Sequence, residues 1–371
     1  MEEALICIGC GATLQSTNQS QSGYLPASAL KKAQAEVDDD LEVYCQRCFR
    51  LRHYNEIMPV EQDNDSFLAL LNTLSAKQAL IVNVVDLFDF SNSLLAAMKR
   101  FVGQNDFILV GNKVDLFPKN SREVKIKDWM RQEANRQGLF PKKIFLISAA
   151  KRRGLDELIT YLAQASRRQD VYFVGTTNVG KSTLINAIVD QMGEVKDLIT
   201  TSRFPGTTLD QIKIPLANGH FLIDTPGVLT HNQLGTKLSA DNLDLISPRK
   251  TLKPVTYQLL PGNTLFLGGL GRVDYLKGPD SSFTVYASRS LFIHRTKTIN
   301  ADDFYEKHRG GLLRPALMGP DAPALKGQEF VSQDKSDLLV GGIGFVTIPA
   351  GCVVKSYTPA GIGLGIRRAL I

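Results

Sequence analysis

The stretch Gly175-Thr-Thr-Asn-Val-Gly-Lys-Ser182 constrains this chain more than any other. Its two glycines, lysine and hydroxyl stand at P-loop spacing, and the context fits: an apolar strand, Val171 to Val174, leads in and a helical run, Lys181 to Ile188, leads out. The glycines let the backbone curl so that its N–H groups face the β-phosphate oxygens, and the helix N-terminus adds partial positive charge. Thr177, Asn178, Val179, Gly180 and Thr183 complete the expected cradle. Lys181 would bridge the β- and γ-phosphates, and the Ser182 hydroxyl would ligate Mg²⁺. A flexible Gly/Thr loop is the alternative until other motifs are counted.

Those motifs lie on both sides. Upstream, the apolar runs Ala79 to Val85 and Phe107 to Val110 read as buried parallel strands, the second entering Asn112-Lys-Val-Asp115. A carboxylate at Asp115 can accept both the N1–H and the 2-amino group of guanine, a pairing adenine cannot offer. Asn112 would tether loops and base, and the Lys113 stem would pack over the purine. Strand Ile144 to Ile147 ends in Ser148-Ala-Ala-Lys151, where the Ala149 N–H could reach guanine O6. Downstream, Arg203 to Asp210 offers Thr208, with Thr207 second, as a mobile-loop ligand for Mg²⁺. Strands Gln211 to Pro215 and Phe221 to Asp224 then reach Asp224-Thr-Pro-Gly227, where Asp224 would hold the Mg²⁺ shell and the Gly227 N–H would sense the γ-phosphate. For Asp86 and Asp89, loop and helix-cap roles are preferred over a metal.

Five nucleotide-switch loops on six strands suffice for one GTPase sheet, but the base-recognition loops precede the P-loop. All should lie at the carboxyl ends of parallel strands, so rejoining the chain elsewhere would preserve the site. The expected fold is α/β: a circularly permuted P-loop GTPase domain with an N-terminal four-cysteine module and a C-terminal, mainly-β domain.

Cys7-Ile-Gly-Cys10 and Cys45-Gln-Arg-Cys48 define that N-terminal module. Two such knuckles close a four-sulfur zinc site, with redox dithiols or an iron–sulfur cluster as the other chemistries. The run Arg47, Arg50, Arg52 and His53, with Phe49 and Tyr54 between, suits RNA or an ordinary solvated face. A net charge of +6 permits nucleic-acid contact without demanding it. The acidic start Met1-Glu-Glu-Ala, with no apolar run near the ~18 residues of a membrane span, points to the cytoplasm and away from membranes.

A helical stretch, about Leu234 to Ile246, precedes a boundary near Pro248–Pro254. Beyond it Leu267-Gly-Gly-Leu-Gly-Arg-Val273 reappears as Val340-Gly-Gly-Ile-Gly-Phe-Val346, which predicts a duplicated β unit. The division is 1–58 zinc module, 59–247 GTPase domain and 248–371 β domain. Arg289, His294, Arg295, Lys297, Arg367 and Arg368, with Tyr275, Tyr286 and Phe292, are candidates for an RNA surface, or for scattered surface charge.

Through its two Cys-x-x-Cys pairs, Cys45 to Tyr54, Asn-Lys-Val-Asp, the P-loop and Asp-Thr-Pro-Gly, the whole chain resembles the circularly permuted bacterial GTPases of the YqeH type. That resemblance implies a treble-clef-like zinc module, an RNA-binding β domain, and action on GTP and GDP in assembly of the small (30S) ribosomal subunit through rRNA or assembly intermediates. A metabolic P-loop kinase or ligase is disfavoured by the Asn-Lys-Val-Asp loop and the lack of an acceptor site; a GTP-dependent scaffold for protein partners stays open. After Gly227 stands Val228, where Ras-like switches carry a water-orienting glutamine, so intrinsic hydrolysis should be slow. Asn178 resembles the asparagine that coordinates K⁺ in related GTPases, or else only braces the P-loop.

Overall fold

The computed structural model describes residues 5–7, 12–19, 21–35, 43–54, 61–62, 73–75, 77–95, 98–119, 121–193, 212–228, 234, 237–320 and 322–371. The expectations for Cys10, Thr207 and Thr208 lie outside the described residues. The chain forms two compact units: Met1–Leu87, Ser93–Val114 and Met130–Leu229 make the first, and Phe88–Asn92, Asp115–Trp129 and Thr230–Ile371 the second.

In the first unit, strands β1 (Glu61–Gln62), β2 (Ala79–Asp86), β3 (Asp106–Asn112), β4 (Lys143–Leu146), β5 (Asp170–Val174), β6 (Ile212–Pro215), β7 (Phe221–Asp224) and β8 (Gly227–Val228) follow in chain order. Six of them form one sheet in the order β4-β3-β2-β5-β7-β6, parallel throughout except for β6. Seven of the eight β2 residues are buried, as a central parallel strand covered on both faces requires, whereas edge strand β6 alternates buried and half-buried positions. From β5 the chain runs to β7 and β6 on one side, while β2, β3 and β4 lie on the other although they come earlier in the sequence. That sheet order confirms the permutation. It also puts the topological switch point between β5 and β2, where open α/β sheets bind ligands.

The helix Leu155–Ala165 buries Leu155, Leu158 and Leu162 at helical spacing in the same core as Val171, Phe173 and the P-loop helix. β1 and β8 pair in parallel, setting Glu61 opposite Gly227. The N-terminal segment gathers a small separate core of Cys7, Ala12, Leu14, Cys45 and Cys48, closed by the hydrogen bonds Cys7 N to Ala12 O and Leu14 N to Leu5 O, both 2.8 Å.

The second unit adds β9 (Val255–Leu259), β10 (Asn263–Leu267), β11 (Gly271–Lys277), β12 (Ser281–Ala287), β13 (Ile293–Lys297), β14 (Leu325–Val331), β15 (Ser336–Val340), β16 (Gly344–Ile348), β17 (Val353–Pro359) and β18 (Leu364–Arg368). They build two five-stranded antiparallel sheets, β13-β10-β11-β17-β14 and β18-β15-β16-β12-β9. The duplication holds strand for strand: β9 to β13 is one copy and β14 to β18 the other. Each sheet takes three strands from one copy and two from the other, so neither copy closes a sheet alone.

The repeated glycine turns are the tips of hairpins β10–β11 and β15–β16. At Gly344 φ is +148°, and a Cβ would stand 2.2 Å from the Tyr286 carbonyl oxygen, so only glycine lets β16 approach β12 there. Both hairpins carry one buried cross-strand pair with its residues exchanged. Thr264 Oγ1 donates to Asp274 (2.7 Å) in the first, and Thr347 Oγ1 donates to Asp337 (2.6 Å) in the second. The expected helix from Leu234 to Ile246 is shorter, Ala240–Ile246, and both Leu234 and Ile246 belong to this unit's core.

Candidate functional site

Sheet order sets the P-loop, at the end of β5, next to β2, whose other neighbour β3 leads into the base loop. Asn112 is buried, and its amide joins three loops: Nδ2 donates to Val179 O (2.8 Å), while Oδ1 accepts from Lys113 N (2.8 Å) and Ala149 N (3.0 Å). Asn112 thus joins the neighbouring loops, the part of its expected role that involves protein alone. The Ala149 N–H, expected to serve a guanine O6, instead donates to Asn112. At Gly180 φ is +85° and a Cβ would meet Asn112 Nδ2 at 2.4 Å, so the glycine is what allows the tether to reach the P-loop backbone.

Lys113 Nζ donates to Asn178 O (2.8 Å) and to Asp86 Oδ2 (2.6 Å), so its side chain runs from base loop to P-loop. Asp86 is thus a site residue, not the loop or cap residue expected. The strand pairing decides this, because Asp86 and Asn112 are register partners at the ends of β2 and β3. Asp89 does take a local loop role, accepting from Asn92 Nδ2 (2.8 Å). Asn178 sits at φ +63°, a left-handed conformation that asparagine tolerates better than most side chains. Asp115 stands in the 3-10 turn Val114–Leu116 directly after this loop.

At the phosphate end Lys181 and Asp224 are both buried and ion-paired, and Lys181 Nζ also donates to the Thr225 carbonyl. Thr225 fixes that loop by donating from N (3.2 Å) and Oγ1 (2.7 Å) to Phe173 O. Gly227 approaches the P-loop so closely that a Cβ there would lie 3.1 Å from Thr177 Cγ2 and 3.3 Å from its Cα. The P-loop helix, Lys181–Gly193, has its first ladder bond from Leu184 N to Gly180 O (2.9 Å). That leaves the first-turn N–H groups of Lys181, Ser182 and Thr183 as donors for an anion. Ser182 and Asp224 carry oxygens of the kind Mg²⁺ takes, with Asp224 held by Lys181 here.

In the N-terminal core the sulfur atoms of Cys7, Cys45 and Cys48 all lie within 4.8 Å of one another. Cys45 N donates to Cys7 Sγ at 3.1 Å, a bond that favours thiolate character. Three buried sulfurs at this separation suit a tetrahedral metal site with one further ligand, the position expected for Cys10.

Three residues expected on an RNA surface are instead core. Tyr275, Tyr286 and Arg367 are buried, with the Arg367 guanidinium 4.6 Å from the Trp129 ring and 5.3 Å from that of Phe345. Their aromatic and aliphatic bulk fills the space between strands, and period-two burial in a sheet is hard to assign to a face from sequence alone. Arg289, Arg295, Lys297, Arg368 and Phe292 are exposed, and His294 is half-buried.

Residues 280–370 match the family described as "YqeH-like, C-terminal", and residues 170–256 the one described as "50S ribosome-binding GTPase". The uncharacterized protein YqeH of Bacillus subtilis is 43% identical over 375 residues, covering 100% of both chains. The NO-associated protein 1, chloroplastic/mitochondrial, of Arabidopsis thaliana is 31% identical, covering 92% of this chain and 69% of its own. The solved structure of GNP-bound YlqF from T. maritima is 21% identical with a TM-score of 0.30, over 49% of this chain and 65% of that one.

Proposed function

This chain belongs to the YqeH-like family and is a circularly permuted GTPase, and from that premise we propose that it is a GTP-driven switch in assembly of the small ribosomal subunit, working in the cytoplasm. The observation that carries the switch is the sheet order, which gathers loops 112–115, 148–149, 175–182 and 224–227 at one end of one sheet. Among the described residues no helix is long and apolar enough to cross a membrane.

The chemistry is hydrolysis of GTP to GDP and phosphate. Asp115 selects guanine, with Asn112 holding its loop. Lys181 leaves Asp224 for the β- and γ-phosphates when nucleotide loads, and Asp224 is thereby free to hold the magnesium shell with Ser182 and Thr208. Magnesium held by these residues would supply positive charge that offsets the charge of the phosphates. Gly227 reads the γ-phosphate, and with Val228 in place of a water-orienting side chain the unaided rate is slow. Asn178 would hold K⁺, which would supply charge to offset that developing on the phosphates. Zinc on Cys7, Cys10, Cys45 and Cys48 is structural. Functionally, 1–58 is the zinc module, 59–247 the GTPase domain and 248–371 the ribosome-binding β domain. The sensing loop runs directly into the second unit at Thr230, a covalent route by which loop ordering becomes domain movement.

One matched family description names the 50S subunit, whereas this reading names the small one. Co-sedimentation with separated subunits, in GDP and in a non-hydrolysable GTP analogue, decides between them. The reading requires nucleotide-dependent pelleting with the small subunit or its precursors; pelleting with the large subunit alone overturns it. Burial of Tyr275, Tyr286 and Arg367 removes three members of the candidate RNA surface and favours a second reading, a GTP-dependent scaffold for protein partners. Partners that survive nuclease treatment, with weak salt dependence of binding, would support the scaffold.

A further inference from the structure

The 3-10 turn Val114–Leu116 that carries Asp115 is one turn long, so its carbonyls have no helical partners of their own and must find donors elsewhere. The donors come from a part of the chain far away in sequence. Thr251 Oγ1 donates to the Asp115 carbonyl at 2.9 Å, and Leu252 N donates to the Leu116 carbonyl at 2.7 Å. Leu116, Phe117 and Leu252 are all buried, which keeps water from replacing these bonds. Thr251 is itself held, since Arg289 Nε donates to its carbonyl at 2.8 Å. Asp115, Leu116, Phe117, Thr251, Leu252 and Arg289 all fall within the second compact unit.

We propose that Thr251 is a positioning residue for guanine selection: its hydroxyl fixes the backbone of Asp115, and Arg289 fixes Thr251 in turn. This rests on the reading of Asp115 as the base selector. A carboxylate that must meet two donors of one base at once tolerates little rotation of its own backbone, so losing the Thr251 bond costs the two-point contact first. Phosphate binding by the P-loop uses other groups and is spared.

The test compares GDP with IDP, whose hypoxanthine lacks the 2-amino group and so makes only one of the two contacts. Thr251→Val keeps the shape and removes the donor; Thr251→Ser keeps the donor. The expected result is a fall in the GDP-over-IDP affinity ratio of roughly three- to tenfold in Thr251→Val, the range one hydrogen bond supports. IDP affinity should change little, and Thr251→Ser should restore the ratio. An unchanged ratio in folded Thr251→Val, or equal loss for both nucleotides, overturns the proposal. Should Thr251→Val fail to fold, Arg289→Gln carries the same measurement from an exposed position, with a smaller drop in the ratio expected and no drop counting against. Asp115→Asn is run beside them: gain of xanthosine diphosphate binding upholds the base-selector reading, and without that gain the reading fails whatever Thr251 does.

Discussion

At the scale of single residues, the buried pair of Lys181 and Asp224 joins stability to function. Two charges that are nearly water-free hold each other only as a pair, and removing one partner from such a pair typically costs about 3–5 kcal/mol. Asp224→Ala should therefore lower the stability of nucleotide-free protein by an amount of that order. Added GDP should recover part of the loss, because its phosphates return a counter-charge to Lys181. Denaturant titrations with and without GDP check this, and a variant as stable as the parent would show that the pair contributes nothing. Val228 makes a second residue-scale prediction. With no side chain there to orient water, turnover should rise when K⁺ replaces Na⁺ at constant ionic strength, and Asn178→Ala should abolish the difference while GTP still binds. Equal phosphate release in both salts would move suspicion to a group supplied by the partner.

At the scale of elements, the cysteine cluster forms its own small core apart from the sheet, whose six strands are complete without it. Native mass spectrometry should show one zinc per chain if the cluster is a zinc site, and Cys45→Ser should then lower it and loosen the N-terminal segment, with GTP binding largely retained. Native mass spectrometry and nucleotide titration read the two effects separately; loss of GTP binding would contradict a purely structural metal. The edge strand β13 and the helix Ala301–His308 form another local unit. Here His294 stacks on Phe304 with centroids 4.2 Å apart and planes 2° from parallel. Burial, helped by nearby His308, pulls the His294 pKa below its ordinary value. A base depressed in the folded state takes its proton first in the unfolded chain, so stability must fall as pH drops through roughly 6.5. Melting at pH 7.5 and 5.5 should show that fall, and His294→Gln should flatten it. An identical slope in the variant would remove His294 as the cause.

At the scale of the whole molecule, the second unit is assembled from three separated stretches of chain. Trp129, the last residue of that unit's middle stretch, is 5% exposed, meets Phe90 edge-on at 4.8 Å and donates from Nε1 to Arg368 O at 3.0 Å. Trp129→Ala removes a large buried ring together with the stacking partner of Arg367, and should destabilise the protein by roughly 3–5 kcal/mol. Chemical denaturation checks the size, and a cost under about 1 kcal/mol, the level of a surface change, would show that the ring is not a structural anchor. The intermixed sheets make a related point. Because each copy of the β unit needs strands from the other, the two copies should unfold in one transition, not two.

The motifs of the proposed nucleotide site could be located in the sequence because each is a short contiguous loop with a recognisable residue pattern. Gly175 to Ser182, Asn112 to Asp115 and Asp224 to Gly227 can each be picked out from their own neighbours alone. Most strands were readable too, from β-branched runs such as Ala79 to Val85, and so was the repeat of the glycine turns. Tertiary structure alone decided which strand lies beside which. Pairing Asp86 with Lys113, setting Thr251 under Asp115 and dividing each copy of the β unit between two sheets all depend on contacts across long stretches of chain. Such contacts leave no local pattern. They are fixed by how buried faces fit together, which is also why Tyr275, Tyr286 and Arg367 look like surface residues in the sequence and prove to be core.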